Sequence, residues 1–223
     1  MKIKKATKKI LVLAILLLAF CVVETPPGME PDSLSISTSS KPQEIVNLQE
    51  FITGIVVELV YATDDNVYGK RIYDIDKAYL RKGTAEKLAK AQAEAAQKGL
   101  SLKIWDAYRP PEAQYKLWKV MPDSRYVINP HHKYSYHSRG VAVDLTLVDE
   151  KGRELAMPSK FDEFSALADR DFSDVSAIQA ANARYLEEIM VRHGFISIFY
   201  EWWHFIDSER DKYPVIQESE LPE

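Results

Sequence analysis

Two short stretches of the 223-residue chain carry side chains of the kind that do chemistry. The first is Ser135-Tyr136-His137-Ser138-Arg139-Gly140-Val141-Ala142-Val143-Asp144. Val141, Val143, Leu145 and Leu147 alternate with Ala142, Asp144 and Thr146, which is strand periodicity. The apolar face of that strand can pack on helices while Asp144 faces a cleft. His137 lies just before the strand, beyond Gly140, where a backbone bend can return its imidazole toward Asp144. The second stretch is Glu201-Trp202-Trp203-His204. Its spacing allows Glu201 and His204 to reach one centre from an irregular turn or strand end. His137, Asp144 and His204 make a three-ligand set for a divalent metal of zinc type, which leaves a fourth position open for water, as a catalytic zinc requires. Bound zinc lowers the pKa of that water to about 7. Glu201, a carboxylate outside the ligand set, is placed to take its proton.

A lone Glu-x-x-His is common by chance, and a lone histidine before a strand is usually a loop residue. The chemical reading rests on the two stretches occurring together. The remaining histidines get plainer assignments. His131 and His132 follow Asn129-Pro130 and read as loop residues; His193 stands before Gly194 at a helix end, where a cation suits the dipole. Trp202 and Trp203 read as core and walls of the site. Cys21 is the only cysteine, so no internal disulfide and no cysteine-based metal site can form.

The elements that must position these groups read as a mixed pattern. Strands are expected over 55–60, 100–104 and 141–147, with a hairpin returning over 154–157. Helices are expected over Thr84–Lys98, ended by Gly99, over Pro111–Val120, and over Asp174–His193, capped by Ser173 or Asp174 and stopped by Gly194. Phe195–Ile206 reads as strand, turn, strand. Helices clustered with hairpins point to an α+β fold, a central antiparallel sheet with helices packed on it.

The first 23 residues are a different material. Five lysines precede an unbroken apolar run from Ile10 to Val23, shorter than a membrane span of roughly 20 residues and suited to a secretory leader or an anchor. Leu18-Ala19-Phe20-Cys21 resembles a bacterial lipoprotein cleavage box, with Phe20 where a small residue is expected. Residues 24–43 read as a disordered linker, 44–215 as the working domain and 216–223 as a flexible tail. The formal net charge is −4. Loss of the leader would remove five lysines and no acids and leave the body more acidic, with no nucleic-acid surface and no contact with membrane except through the N-terminal segment. The expected location is outside the cytoplasm, in the periplasm or at the cell surface.

Taken together, Ser-x-His-x-x-Gly-x-Ala-x-Asp and the later Glu-x-Trp-His resemble the D-alanyl-D-alanine dipeptidases of the VanX type, in the zinc peptidase superfamily that also holds D-Ala-D-Ala carboxypeptidases, lysostaphin-like endopeptidases and the hedgehog signalling domain. Val60-Tyr61-Ala62-Thr63 with Asn66 and Gly69-Lys70, Trp105-Asp106-Ala107-Tyr108-Arg109-Pro110, and Phe161-Asp162 after Met157-Pro158-Ser159 extend the resemblance, in order, over about residues 50–210. Tyr136 departs from the small residue usual at its position. The resemblance implies a hedgehog/D-Ala-D-Ala peptidase-like fold and one zinc ion per chain on His137, Asp144 and His204. It implies Glu201 as catalytic base and Arg109 as the group that polarises the scissile carbonyl. Ser135 and Asp162 would line the dipeptide pocket, Asp162 pairing with the substrate ammonium. The implied activity is zinc-dependent hydrolysis of D-Ala-D-Ala in peptidoglycan-derived peptide metabolism. The competing expectations are a carboxypeptidase on longer peptidoglycan stems and a non-catalytic zinc-binding module.

Overall fold

A computed structural model describes residues 43–222. The leader and nearly all of the linker expected from the sequence lie outside the described residues. The strands are β1 (Ile45–Asn47), β2 (Val56–Val57), β3 (Tyr79–Arg81), β4 (Ser101–Asp106), β5 (Ala142–Val148), β6 (Phe195–Ile198) and β7 (Glu201–Asp207). The helices are α1 (Leu48–Phe51), α2 (Lys82–Ala96), α3 (Pro111–Val120) and α4 (Ala177–Arg192). The main sheet has the order β2-β4-β5-β7-β6, and β1 pairs with β3 in a separate two-stranded sheet. The four strands from β4 to β6 are antiparallel, as expected for the α+β class; β2 joins their edge in parallel.

β5 is the axis of the molecule. All seven of its residues are buried, so both faces are covered. Val143, Leu145 and Leu147 join the core with α2 and α4, which pack on each other and on the sheet. On α2, Ala85, Leu88, Ala91 and Ala95 recur at helical spacing and supply the buried stripe. Its chain leaves at Gly99, whose φ of +69° is the left-handed conformation that glycine adopts without penalty. Among the described residues no helix is long and apolar enough to cross a membrane.

The structure corrects several sequence expectations. The strand expected over 55–60 pairs only at Val56–Val57, then tightens into a helical turn, Val60–Ala62, that drives Tyr61 inward. The return over 154–157 is a single bridge from Val148 to Glu154, followed by one hydrogen bond from the Leu155 N–H to the Leu147 carbonyl at 2.9 Å. The last helix is capped by Ser176, not Ser173 or Asp174. Ser176 and Gln179 form a reciprocal capping box, which satisfies two free N–H groups at once. The expected flexible tail, 216–223, is tied to the domain over its described part, 216–222. Ile216 is fully buried and its N–H donates to the Ser138 carbonyl at 2.9 Å. Tyr108 Oη donates to the Ile216 carbonyl and Tyr79 Oη to that of Pro222. A buried isoleucine between two tyrosines ties the terminus down where its acidic composition suggested nothing would.

Candidate active site

Three neighbouring strands place three polar side chains in one row. Asp144 on β5 stands directly opposite His204 on β7 and opposite Asp106 on β4. Cross-strand partners share a face, so all three point the same way. The arrangement depends on two irregularities. On β4 the register slips between Ile104 and Asp106, which brings Asp106 rather than Trp105 opposite Asp144. On β7, Phe205 pairs with Ser197 but Glu201 pairs with Ile198, so the residues between them bulge out of register. In a regular strand Glu201 and His204, three apart, would face opposite sides. The bulge lets both line one cavity.

His137 arrives from outside the sheet, on a helical turn His137–Arg139 that ends at Gly140. Gly140 has φ +67°, and a Cβ there would lie 2.7 Å from Ile216 Cδ1 and 3.2 Å from the Arg81 backbone nitrogen. Both the conformation and the space require glycine. The turn aims the imidazole back at Asp144.

The resulting cluster has the donor set and the spacing of a metal centre. His137 Nδ1 lies 2.8 Å from the Ala107 carbonyl, which can only accept, so Nδ1 carries the proton and Nε2 presents its lone pair. That Nε2 is 3.2 Å from His204 Nδ1 and 3.4 Å from Asp144 Oδ2, and His204 Nδ1 is 2.7 Å from Asp144 Oδ1. Tetrahedral zinc with bonds of about 2.0–2.1 Å holds its ligand atoms roughly 3.3 Å apart; both separations from His137 Nε2 match that, while the His204–Asp144 pair is in hydrogen-bond contact and would open by roughly 0.6 Å around an ion. Burial lowers the pKa of His204, which favours the neutral imidazole that a metal needs. For Asp144 burial acts upward, but positive charge at the His137–His204 position, carried by the rings when protonated, outweighs it and holds the carboxyl below the usual carboxylate range; a cation held between them acts in the same direction.

Arg109 follows β4 and is buried beside the row. Its Nε donates to Asp106 Oδ2 at 2.8 Å and its Nη1 to Gln114 Oε1 at 3.0 Å, and Nη2 lies 2.6 Å from Asp106 and 3.5 Å from Asp144. Burial alone would lower its pKa; the Asp106 and Asp144 carboxylates outweigh that, and the guanidinium stays charged. It also lies 5.1 Å from the centroid of the Tyr61 ring.

The remaining groups close the other side of a cavity of about 200 Å³ lined by Tyr61, Arg109, Ser135, Asp162, Glu201 and Trp203 as well as the cluster. Glu201 is buried, and burial, followed by the negative charges of Asp144 and Asp162, raises its pKa well above the ordinary glutamate value. Asp162 sits at φ +58° and accepts a 2.7 Å hydrogen bond from Tyr61 Oη. Burial pushes its carboxyl up to about 7. Ser135 is buried, and its Oγ accepts from the His137 backbone N–H at 3.3 Å.

A family model described as D-ala-D-ala dipeptidase matches residues 41–218. The chain belongs to that family. The D-alanyl-D-alanine dipeptidase of Escherichia coli (strain K12) is 40% identical over 177 residues, covering 79% of this chain and 91% of that protein. The protein of the same name from Enterococcus faecium is 31% identical over 179 residues, covering 71% and 89%. The one from Streptomyces coelicolor (strain ATCC BAA-471 / A3(2) / M145) is 33% identical over 178 residues, covering 71% and 88%. The chain is therefore a peptidase.

In this dipeptidase-family chain the seven residues singled out by sequence all meet at one cavity. His131 and His132 are exposed outside it, and His193 pairs with Glu94 at the end of α4. Sequence reading passed over Asp106 as a functional residue. It is fully buried, orients Arg109, accepts from Tyr73 Oη at 2.8 Å, and lies 3.5 Å from His137 Nδ1. An acid at the end of an apolar strand, three residues before an arginine, was the available signal. Tyr61, which holds Asp162, stood in a stretch that carries the family resemblance but was given no role, and Gln114, which holds Arg109, had no signal at all. Their partners come together only through the fold.

Proposed function

We propose that the protein is a zinc dipeptidase that hydrolyses D-Ala-D-Ala, with one zinc per chain on His137, Asp144 and His204. The observation that carries this reading is the meeting of a three-ligand cluster, a buried non-ligand carboxylate, a clamped arginine and a second buried carboxylate in one small cavity. Its volume of about 200 Å³ is below the roughly 300–1,000 Å³ usual for larger ligands, which suits a dipeptide. The charges support the same reading. Asp106, Asp144, Asp162 and Glu201 lie around the buried guanidinium of Arg109, with that of Arg170 behind the Glu201 backbone, so buried carboxylates there outnumber buried cations four to two. A divalent cation and a substrate ammonium offset that excess, which otherwise carries a heavy desolvation cost.

The chemistry a bound zinc supplies is Lewis acidity, which acidifies water and polarises a carbonyl. Glu201 takes a proton from the attacking water and delivers it to the leaving amine; its raised pKa brings it toward the range where a base also serves as an acid. Arg109, immobilised by Asp106 and Gln114, meets the oxyanion without reorganising. Asp162 pairs with the ammonium of the dipeptide, and Ser135 steadies the His137 turn while lining the same wall. The physiological setting we infer is export, on the strength of the lysine-led apolar run at residues 2–23, with scavenging of peptidoglycan-derived dipeptide.

The decisive test is a product assay on the purified zinc-loaded protein with D-Ala-D-Ala, L-Ala-L-Ala and a pentapeptide ending in D-Ala-D-Ala. Cleavage of the first alone is the expected result. Release of terminal D-Ala from the pentapeptide at a comparable rate would replace the dipeptidase with a carboxypeptidase. For export, residues 1–43 fused to a reporter active only outside the cytoplasm should give activity, and a silent reporter would return the enzyme to the cytoplasm.

A further inference from the structure

The bulge on β7 that turns Glu201 and His204 into one cavity has a cost in backbone hydrogen bonding. Pairing with β5 ends at the Asp144–His204 pair, and pairing with β6 skips from Phe205 to Glu201. The intervening backbone is buried, and its carbonyls need donors from outside the ladder. One side chain reaches two of them, those of Trp202 and His204, together with the flanking carbonyls of Ile198 and Glu201. Arg170, in the loop after the helical turn Ala166–Ala168, donates from Nε to the Ile198 carbonyl at 2.7 Å. Its Nη2 lies 3.0 Å from the Trp202 carbonyl, 3.2 Å from that of Glu201 and 3.3 Å from that of His204. The side chain is only 7% exposed, its guanidinium lies 4.8 Å from the Phe205 ring centroid, and Nη1 lies 3.5 Å from Glu187 Oε2 on α4. Its own backbone N–H donates to the Phe199 carbonyl at 3.0 Å.

We propose that Arg170 is a positioning residue of the hydrolytic reaction: its guanidinium holds the Glu201–His204 backbone in the irregular path that points the base and a metal ligand into the same cavity. The inference rests on the roles given above to Glu201 and His204. A neutral side chain offers too few donors for four carbonyls. A lysine ammonium offers its donors from a single point, whereas the planar fork of arginine reaches both edges of the bulge. Without the fork the segment relaxes toward regular pairing, which swings Glu201 away from the cavity. Misplacement by about 1 Å is enough to cost on the order of 100-fold in rate.

The test uses the full-length zinc-loaded protein and D-Ala-D-Ala, with Arg170→Ala, Arg170→Lys, Glu201→Gln and the Arg170→Ala/Glu201→Gln double variant. In Arg170→Ala, kcat should fall on the order of 100-fold with KM changed less than about threefold and zinc retained. Guanidinium chloride, well below denaturing concentrations, should restore a substantial part of kcat, and methylammonium chloride at the same concentration should not. The double variant should be no slower than Glu201→Gln, because a brace for an absent base has nothing left to hold. A kcat near wild type in folded Arg170→Ala, or a loss that tracks zinc loss and is not rescued, would overturn the proposal. If Arg170→Ala does not fold, Arg170→Lys decides: kcat lowered about tenfold supports the brace, and an unaltered kcat removes it. If neither variant folds, Arg170 serves the fold alone and the proposal fails. Normal turnover in Glu201→Gln would instead reject the reading of the base, whatever Arg170 does.

Discussion

The two sides of the cavity are built from different material. The ligand side rests on the sheet: Asp106, Asp144 and His204 stand in a row across β4, β5 and β7, and Arg109 leaves β4 directly. The opposite side rests on loops: Tyr61 on a single helical turn, Ser135 before another, and Asp162 in the connection that follows Pro158. Paired strands fix side chains through many shared hydrogen bonds, which suits the role we propose for these groups, holding an ion to within tenths of an ångström. Loops carry the contacts that select a substrate. Asp162 shows what a loop must spend to place a group accurately. A non-glycine residue at φ +58° is a strained conformation, sustained here by burial and by the Tyr61 hydrogen bond. Chemistry on the sheet and selection on the loops predict different kinetic signatures for damage to each.

The largest effects belong to the sheet side. His204→Ala should lose both zinc and activity, read by metal content and turnover together; full zinc occupancy in that variant would sink the ligand assignment. Glu201→Gln should keep zinc and fold while kcat falls by about 10²–10⁴, the usual worth of a positioned general base. Loss of zinc in that variant would make Glu201 a ligand. Next in size is Arg109→Lys, which keeps a charge for Asp106 but removes the fork that also reaches Gln114. The expected loss is about 10²–10³ in kcat with little change in KM. A change confined to KM would move Arg109 from the reaction to substrate binding.

The contrast between sheet and loops also explains what could be read from the residues alone. The strand over 141–147, the helix over Pro111–Val120 and the pairing of Phe195–Ile206 into two strands were visible because each carries its own periodicity or punctuation. The candidate ligands were visible because histidine and aspartate stand out in an apolar setting. The bulges were not, since a register slip is a relation between two strands and neither strand encodes it by itself. Tyr61, Asp106 and Gln114 escaped for the same reason: their meaning lies in partners distant in the chain. The buried terminus at Ile216 escaped because acidic composition outweighed a single apolar residue.

On the loop side effects should be smaller and should appear in kcat/KM. N-acetylation of D-Ala-D-Ala removes the ammonium that we propose Asp162 pairs with, which would leave a buried carboxylate without its counter-charge, a loss of about 2–5 kcal/mol. That corresponds to at least a tenfold lower kcat/KM for the acetylated form. Asp162→Ala should shrink the ratio mainly by harming the free dipeptide. A ratio near one in the wild type would favour the carboxypeptidase; a large ratio left unchanged by the substitution would remove Asp162 from the site.

The smallest effect is also the most local. With its carboxyl pushed up to about 7, Asp162 is ionised above that pH and neutral below it. Capture of an ammonium requires the ionised form, so kcat/KM should fall as pH drops through this range. Glu201, also raised, acts in the same direction, so the acid limb of the wild type cannot by itself be assigned to either group. Tyr61→Phe separates them. The phenol donates only to Asp162, and that hydrogen bond favours the ionised carboxyl. Removing a hydrogen bond worth about 1 kcal/mol moves the limb upward by roughly half a pH unit to one. The variant should therefore lose about two- to fivefold in kcat/KM at pH 7 and much less at pH 9, with kcat nearly constant throughout. A uniform loss across the whole range would mean that Tyr61 acts through packing against Arg109 rather than through the charge of Asp162.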